Sequence, residues 1–228
     1  MDSDDPATTF QTIHHGLGVR PIMVEVQVMS PTTGFIYPGV KSAFAGNDDN
    51  ERGGVISVYD DNDIRLYGAT NSGTLQGKAY IINTGVISWT SENQEQSTTG
   101  YVRVRVWLPN DLPSPSYTTT LNMKAGNTYW NDYEERSHGL GSIPVLTIVQ
   151  YTPAWTVPLT GWVSEGTGSS SRPINNPNLY WGGLVYGVDS QDIRLWAPSY
   201  GQANYGIFSF CDGWGYDVGK RTVHTGGL

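Results

Sequence analysis

The sequence predicts an all-β protein made of two tandem antiparallel β-sandwich modules related by internal duplication. Three observations carry this. The chain repeats itself: "HHGLGVRPIMVEV" (His14–Val26) returns as "SHGLGSIPVLTIV" (Ser137–Val149). Its apolar residues recur with a period near two in short runs, and turn-forming residues separate the runs. Its composition suits sheet surfaces better than helix surfaces, with 28 Gly, 14 Tyr and 8 Trp among 228 residues and only 15% charged. A length of 228 residues accommodates one large domain or two of about 100 to 110 residues.

The repeat has two blocks. Superposing His15 on His138 matches the HGLG tetrad, sets Pro21 on Pro144 and sets Phe10 on Tyr133. The second block pairs "GGVISVYDDNDIRLYG" (Gly53–Gly68) with "GGLVYGVDSQDIRLWA" (Gly182–Ala197). The offset is 123 in the first block and 129 in the second, so the second copy carries about six extra residues between blocks. A loop tolerates such an insertion. The modules are expected at residues 1–108 and 121–228, joined by a stiff linker over 109–120 within the proline-rich "LPNDLPSPSYTTT".

Each element has a local reason. Glycines at HGLG permit positive φ, and the following proline cannot donate to a ladder, so it marks a strand start. "PIMVEVQV" and "PVLTIVQY" then alternate as strands. "VISVY-DDND-IRLYG" reads as a hairpin whose Asp and Asn side chains bond back to turn amides. Ile64 and Leu66 face the core there and Arg65 faces outward. Ile193, Leu195 and Arg194 repeat the pattern. "AYIINTGVISW" and "YVRVRVW" supply further strands, and no stretch has a helical period.

The last strand, "YVRVRVW", begins 35 residues after Leu66; the same interval from Leu195 runs past Leu228. The tail "RTVHTGGL" echoes "STTGYV", which leads into that strand. The second module is therefore expected to lack its last strand. An open edge with unpaired N–H and C=O groups is a liability. The N-terminal segment, a strand from another chain, or the rest of a longer natural chain would each resolve it.

An aromatic residue, a turn, and "G-x-x-P" leading into a "V-x-V"-type strand resemble the opening of H-type lectin modules. The similarity covers Phe10–Val28 and Tyr133–Gln150. Similar openings occur in the receptor-binding tips of phage tail fibres. The resemblance implies a compact antiparallel β-sandwich, assembled as trimers or hexamers, that binds N-acetylgalactosamine and related sugars between protomers. The cysteine bridge common in the snail members has no counterpart, because Cys211 stands alone.

Candidate sites follow from residue chemistry. On a strand, Asp63, Arg65 and Tyr67 share one face, as do Asp192, Arg194 and Trp196. A carboxylate and a guanidinium bond sugar hydroxyls, and an aromatic ring stacks on the C–H side of a sugar. The competing reading is an Asp–Arg pair on a solvated face. His15 and His138 are secondary candidates for a hydroxyl or a metal; tethering the turn through a backbone group is the preferred reading. Asp60, Asp61 and Asp63, with Asp48 and Asp49 nearby, offer oxygen ligands for Ca²⁺. The second copy keeps only Asp189 and Asp192, and turn formation explains these acids better. No other cofactor is expected. Trp155, Trp162, Trp181 and Trp214 crowd the second half, where one exposed platform or interface anchor has room among core tryptophans. Cys211 reads as a small core residue or an exposed thiol.

The formal charge of −8 and the lack of any Lys/Arg run exclude nucleic acid as an expected partner. No apolar run approaches the roughly 18 to 20 residues of a membrane helix. No hydrolase, metalloprotease or P-loop motif occurs. Glu134/Glu135 or Asp60/Asp63 are the carboxylate pairs a glycosidase would need, and a small module is a poor host for that chemistry. The expected function is non-enzymatic carbohydrate recognition outside the cell, although no signal peptide is visible, with glycans or glycoproteins as partners and a homo-oligomer as the assembly. The alternative is a structural or adhesive repeat of a matrix or fibre protein that self-associates by strand completion.

Overall fold

The computed structural model describes residues 1–39, 45–46, 52–71, 79–83, 95–123, 133–152, 161–167, 180–181 and 183–197. These residues are almost entirely strand, turn and irregular chain, so the protein is all-β. The helical pieces among them are one short turn at Pro6–Thr9, started by Asp5, and a 3-10 turn at Pro109–Asp111 inside the proline-rich segment. The described residues divide into two compact units between Leu108 and Pro109, the second also taking in residues 45–46. The parts of "AYIINTGVISW" beyond Asn83, Asp48, Asp49, Trp155, Cys211, Trp214 and the "RTVHTGGL" tail lie outside the described residues.

The first unit contains β1 (Phe10–His14), β2 (Met23–Met29) and β3 (Ile36–Pro38). The next strand, β4 (Ala45–Gly46), belongs to the second unit. The first unit continues with β5 (Arg52–Gly53), β6 (Val55–Tyr59), β7 (Asp63–Gly68), β8 (Ala79–Tyr80), β9 (Ile82–Asn83), β10 (Gln96–Ser97) and β11 (Tyr101–Trp107). Two antiparallel sheets of order β1-β7-β6 and β11-β2-β3 dominate it. The β6–β7 hairpin forms where the Asp and Asn turn predicts it, and Ile64 and Leu66 are buried. Period-two alternation puts Val24, Val26 and Val28 of β2 inside, and each such buried valine is worth roughly 1.5 to 3 kcal/mol. β2 lies against β6. Gly39 fits between them because a Cβ there would meet Val26 Cβ at 2.8 Å and Val55 O at 3.1 Å.

The outward face of β11-β2-β3 carries Arg105 on Glu25 at 3.2 Å and Arg103 on Gln27. The turn after β2 is tied down by Glu95. Burial alone would raise its pKa, but hydroxyls of Ser30, Tyr37 and Thr33 hydrogen-bond the carboxylate and hold it below its ordinary range. The N-terminal segment belongs to this unit. Met1 and Gly100 exchange backbone hydrogen bonds, Ser3 N–H donates to Thr98, and the buried Ser3 hydroxyl donates to Ala79 O at 2.8 Å. These residues are thus engaged at residues 98–100 and do not supply the strand expected to be missing from the second module.

The second unit contains β12 (Tyr133–Ser137), β13 (Gln150–Tyr151), β14 (Ser164–Glu165), β15 (Tyr180–Trp181), β16 (Val185–Val188) and β17 (Asp192–Trp196). Its sheets are β12-β17-β16, β13-β14 and β15-β4. The register of β12 on β17 (Tyr133↔Trp196 through Ser137↔Asp192) parallels that of β1 on β7 (Phe10↔Tyr67 through His14↔Asp63). The pairs Gln150↔Glu165 and Tyr151↔Ser164 parallel Gln27↔Pro38 and Val28↔Tyr37.

One strand departs from expectation. "PVLTIVQY" forms a ladder only at Gln150–Tyr151, and residues 144–149 are irregular. Alternation gives a segment two faces, whereas a ladder also needs a neighbour. In the first unit β11 flanks β2 along its whole length, and among the described residues nothing flanks 145–149 in that way.

Candidate functional site

The HGLG turns are built alike in both units. Gly16 and Gly18, like Gly139 and Gly141, have φ between 64° and 71°, which side-chain-bearing residues rarely adopt. The imidazoles act as clasps. Leu17 N–H donates to His15 Nδ1 and Leu140 N–H to His138 Nδ1, both at 3.2 Å. Nδ1 is therefore unprotonated and Nε2 carries the hydrogen, which His15 donates to Asp60 O at 3.3 Å and His138 to Asp189 O at 3.1 Å. With both ring nitrogens committed to backbone, neither histidine offers a lone pair to a metal. Tyr117 from the proline-rich segment meets His138 edge-on at 6.2 Å.

The acidic turn is committed in a similar way. Asp60 Oδ1 accepts the Asn62 and Asp63 amides, both at 2.8 Å. Asp61 pairs with Arg20 at 3.1 Å, and Asp63 with His14 at 3.0 Å. No three acidic, His or Cys groups converge as a metal site among the described residues. Asp189 repeats the Asp60 arrangement, and the amides of Gln191 and Asp192 draw its pKa below the ordinary carboxylate value.

The two predicted carboxylate–guanidinium–aromatic rows differ in their surroundings. In the first unit Tyr67 is 8% exposed and packs on Phe10 with ring centroids 5.1 Å apart. Arg65 is half-buried between Thr12 on one side and the buried Val58 on the other. The aromatic end of that face is closed, while Thr12 and His14 on the flanking strand are exposed. In the second unit Trp196 is 42% exposed and Tyr133 44%. Their rings lie 5.8 Å apart with planes tilted 43°. Glu135 takes the place of Thr12, and Arg194 Nε donates to its Oε2 at 3.0 Å. The Tyr133 hydroxyl donates to the same oxygen. Gly187 takes the place of Val58, and a Cβ there would come no nearer than 3.8 Å to any atom of the described residues, so among them this flank is open.

Charge is organised on this face. The Tyr133 hydroxyl and then Arg194 lower the Glu135 pKa; the carboxylate in turn raises that of Tyr133 and of Arg194. Glu135 is an anion that engages one of the five N–H donors of Arg194. Asp192 extends the row at the end of β17, opposite Ser137. Tyr133 and Glu135 are the members that spacing along the DIRL strand does not reveal. Their signal is the repeat itself, which sets Tyr133 on Phe10 and so brings its strand beside Arg194 and Trp196. Glu134 and Glu135, adjacent on a strand, point to opposite faces, and Glu134 pairs with Arg136 at 2.7 Å. Trp162 is buried. No family model matches the chain, and no curated protein or solved structure matches it.

Proposed function

We propose that the protein is a non-enzymatic carbohydrate-binding chain whose working site is the open face of β12-β17-β16. The observation that carries this is the exposed row of cross-strand pairs: Tyr133 beside Trp196, then Glu135 beside Arg194. Two tilted rings offer a platform for the C–H face of a sugar. The carboxylate accepts hydroxyl hydrogens, and the remaining guanidinium donors meet hydroxyl oxygens. A glycosidase needs two carboxyl groups flanking one bond, and Glu134 and Glu135 face apart.

The matched registers and histidine clasps support the reading of both units as copies of one sandwich module, and the opening sequences support a likeness to H-type lectins. The closed aromatic end of the first unit's face changes how multivalency arises. The described residues offer one open site, so avidity towards glycans or glycoproteins outside the cell comes from a homo-oligomer and not from tandem copies. A structural, self-associating repeat is the second reading, and the open flank of residues 145–149 favours it.

A glycan array with the full chain tests the first reading. Binding that is lost in Trp196→Ala and Arg194→Ala but kept in Arg65→Ala supports it. Absence of binding, together with concentration-dependent polymers by light scattering, rejects it for the second.

A further inference from the structure

We propose that residues 145–149 are a strand-acceptor edge, which receives an extended segment with valine-like residues at alternate positions from another polypeptide chain. The proposal does not depend on what the open face of the second sheet binds.

The first unit shows what such an edge takes. There β2 is held on one side by β3 and on the other by β11, with Met23↔Trp107, Glu25↔Arg105 and Gln27↔Arg103 in register. Val26 gives its carbonyl to Gly39 on the β3 side. Residues along an antiparallel strand turn their N–H and C=O to alternate sides, so Met23, Glu25 and Gln27 turn theirs to β11. The second unit reproduces the β3 side. Val149 gives its carbonyl to Gly166 at 2.8 Å, and Gly166 fits against Val149 and Leu184 O as Gly39 fits against Val26 and Val55 O. The inward phase is also kept: Val149 and Tyr151 are buried like Val26 and Val28. Extended as a strand from Val149, the segment would turn the backbone groups of Leu146 and Ile148 to the β11 side.

Among the described residues nothing covers that side. Val145 is fully exposed at 105% and Leu146 is 55% exposed, whereas their counterparts Ile22 and Met23 beside β11 are only half-exposed. Among the described residues no strand pairs with 145–149. Exposed β-branched and leucine side chains next to unpaired ladder groups form a template for strand addition. The chain's own β11 defines the occupant: an antiparallel Val-x-Val-x-Val segment with an aromatic residue opposite Leu146 and a basic one opposite Ile148.

A synthetic peptide copying Thr99–Leu108 is the probe, titrated into the full chain. We expect one-to-one binding with new amide-exchange protection at Leu146 and Ile148, and none gained or lost at Glu25 and Gln27. Ile148→Pro removes one donor from the open side and weakens binding about three- to ten-fold, the value of one hydrogen bond. Ile148→Glu creates in trans the Glu25–Arg105 pairing. It tightens binding at low salt and loses that gain at high salt, a readout that survives if the proline variant misfolds. Failure to bind at millimolar peptide, binding without protection at Leu146 and Ile148, or no response to Ile148→Glu would each overturn the proposal.

Discussion

His138→Ala separates a structural clasp from a ligand group. The substitution removes two hydrogen bonds, from Nε2 to Asp189 O at 3.1 Å and from Leu140 N–H to Nδ1 at 3.2 Å. At about 0.5 to 1.5 kcal/mol each, they contribute about 1 to 3 kcal/mol. Loss of the edge contact with Tyr117 adds about 0.5 to 1 kcal/mol. His138 is only 8% exposed, so water replaces these contacts poorly and a loss of about 3 kcal/mol follows. His15→Ala is the internal control. It removes equivalent bonds at 3.3 and 3.2 Å, but the ring is half-exposed and lacks a counterpart of Tyr117 among the described residues, so water recovers part of the loss and about 1 kcal/mol remains. With a urea slope of about 1.5 kcal/mol/M, the midpoint of the affected unit falls by about 2 M for His138→Ala and by under about 1 M for His15→Ala. Urea titration gives the midpoints, and hydrogen exchange at the Leu140 and Leu17 amides locates the effect. Equal shifts in both variants would refute the role assigned to burial and Tyr117. An unchanged midpoint with lost sugar binding would refute the clasp itself.

Two further outcomes follow from particular contacts. Gly100→Ala places a Cβ 2.7 Å from Val28 Cγ1 and 2.8 Å from Ile81 Cγ2, and both neighbours are buried and cannot give way, so thermal unfolding should show a loss of about 1 to 3 kcal/mol. Asp189 has a folded pKa drawn below its ordinary value of about 3.9 by the Gln191 and Asp192 amides, so its stabilisation is present above that value and is lost as pH falls through the folded pKa. Asp189→Asn keeps an oxygen acceptor and cannot titrate. Its melting temperature should therefore fall less than that of the parent between about pH 4 and pH 2, and equal acid sensitivity would show that this carboxylate is not responsible.

What the sequence discloses here is governed by how locally each feature is determined. The β6–β7 hairpin is legible because its turn is stabilised by Asp60 and its own two following amides, a bond set contained in four residues. β2 is legible because Val24, Val26 and Val28 alternate. The same alternation over residues 144–149 predicts a strand that forms only at its end, because the neighbour a ladder requires is a property of another segment. The candidate site shows the same division. Asp63-Ile-Arg-Leu-Tyr67 and Asp192-Ile-Arg-Leu-Trp196 are nearly one sequence, and nothing within either predicts that the aromatic end of the first is closed and that of the second open. The difference comes from the flanking strands. Thr12 against Glu135 decides whether the neighbouring strand sets a hydroxyl or a carboxylate opposite the arginine, and Val58 against Gly187 decides which side chain lines the other flank. These positions lie 7 to 59 residues from the arginines they act on and become neighbours only through register. Two substitutions, Thr12→Glu and Val58→Gly, would give the first unit the site-forming residues of the second. Ring pairing does not set the difference either, because Phe10–Tyr67 and Tyr133–Trp196 are both tilted pairs while Tyr67 is buried and Trp196 exposed. Binding function on this fold thus depends on which strand face is left uncovered, and a DIRL row is only the part of that face visible in one dimension.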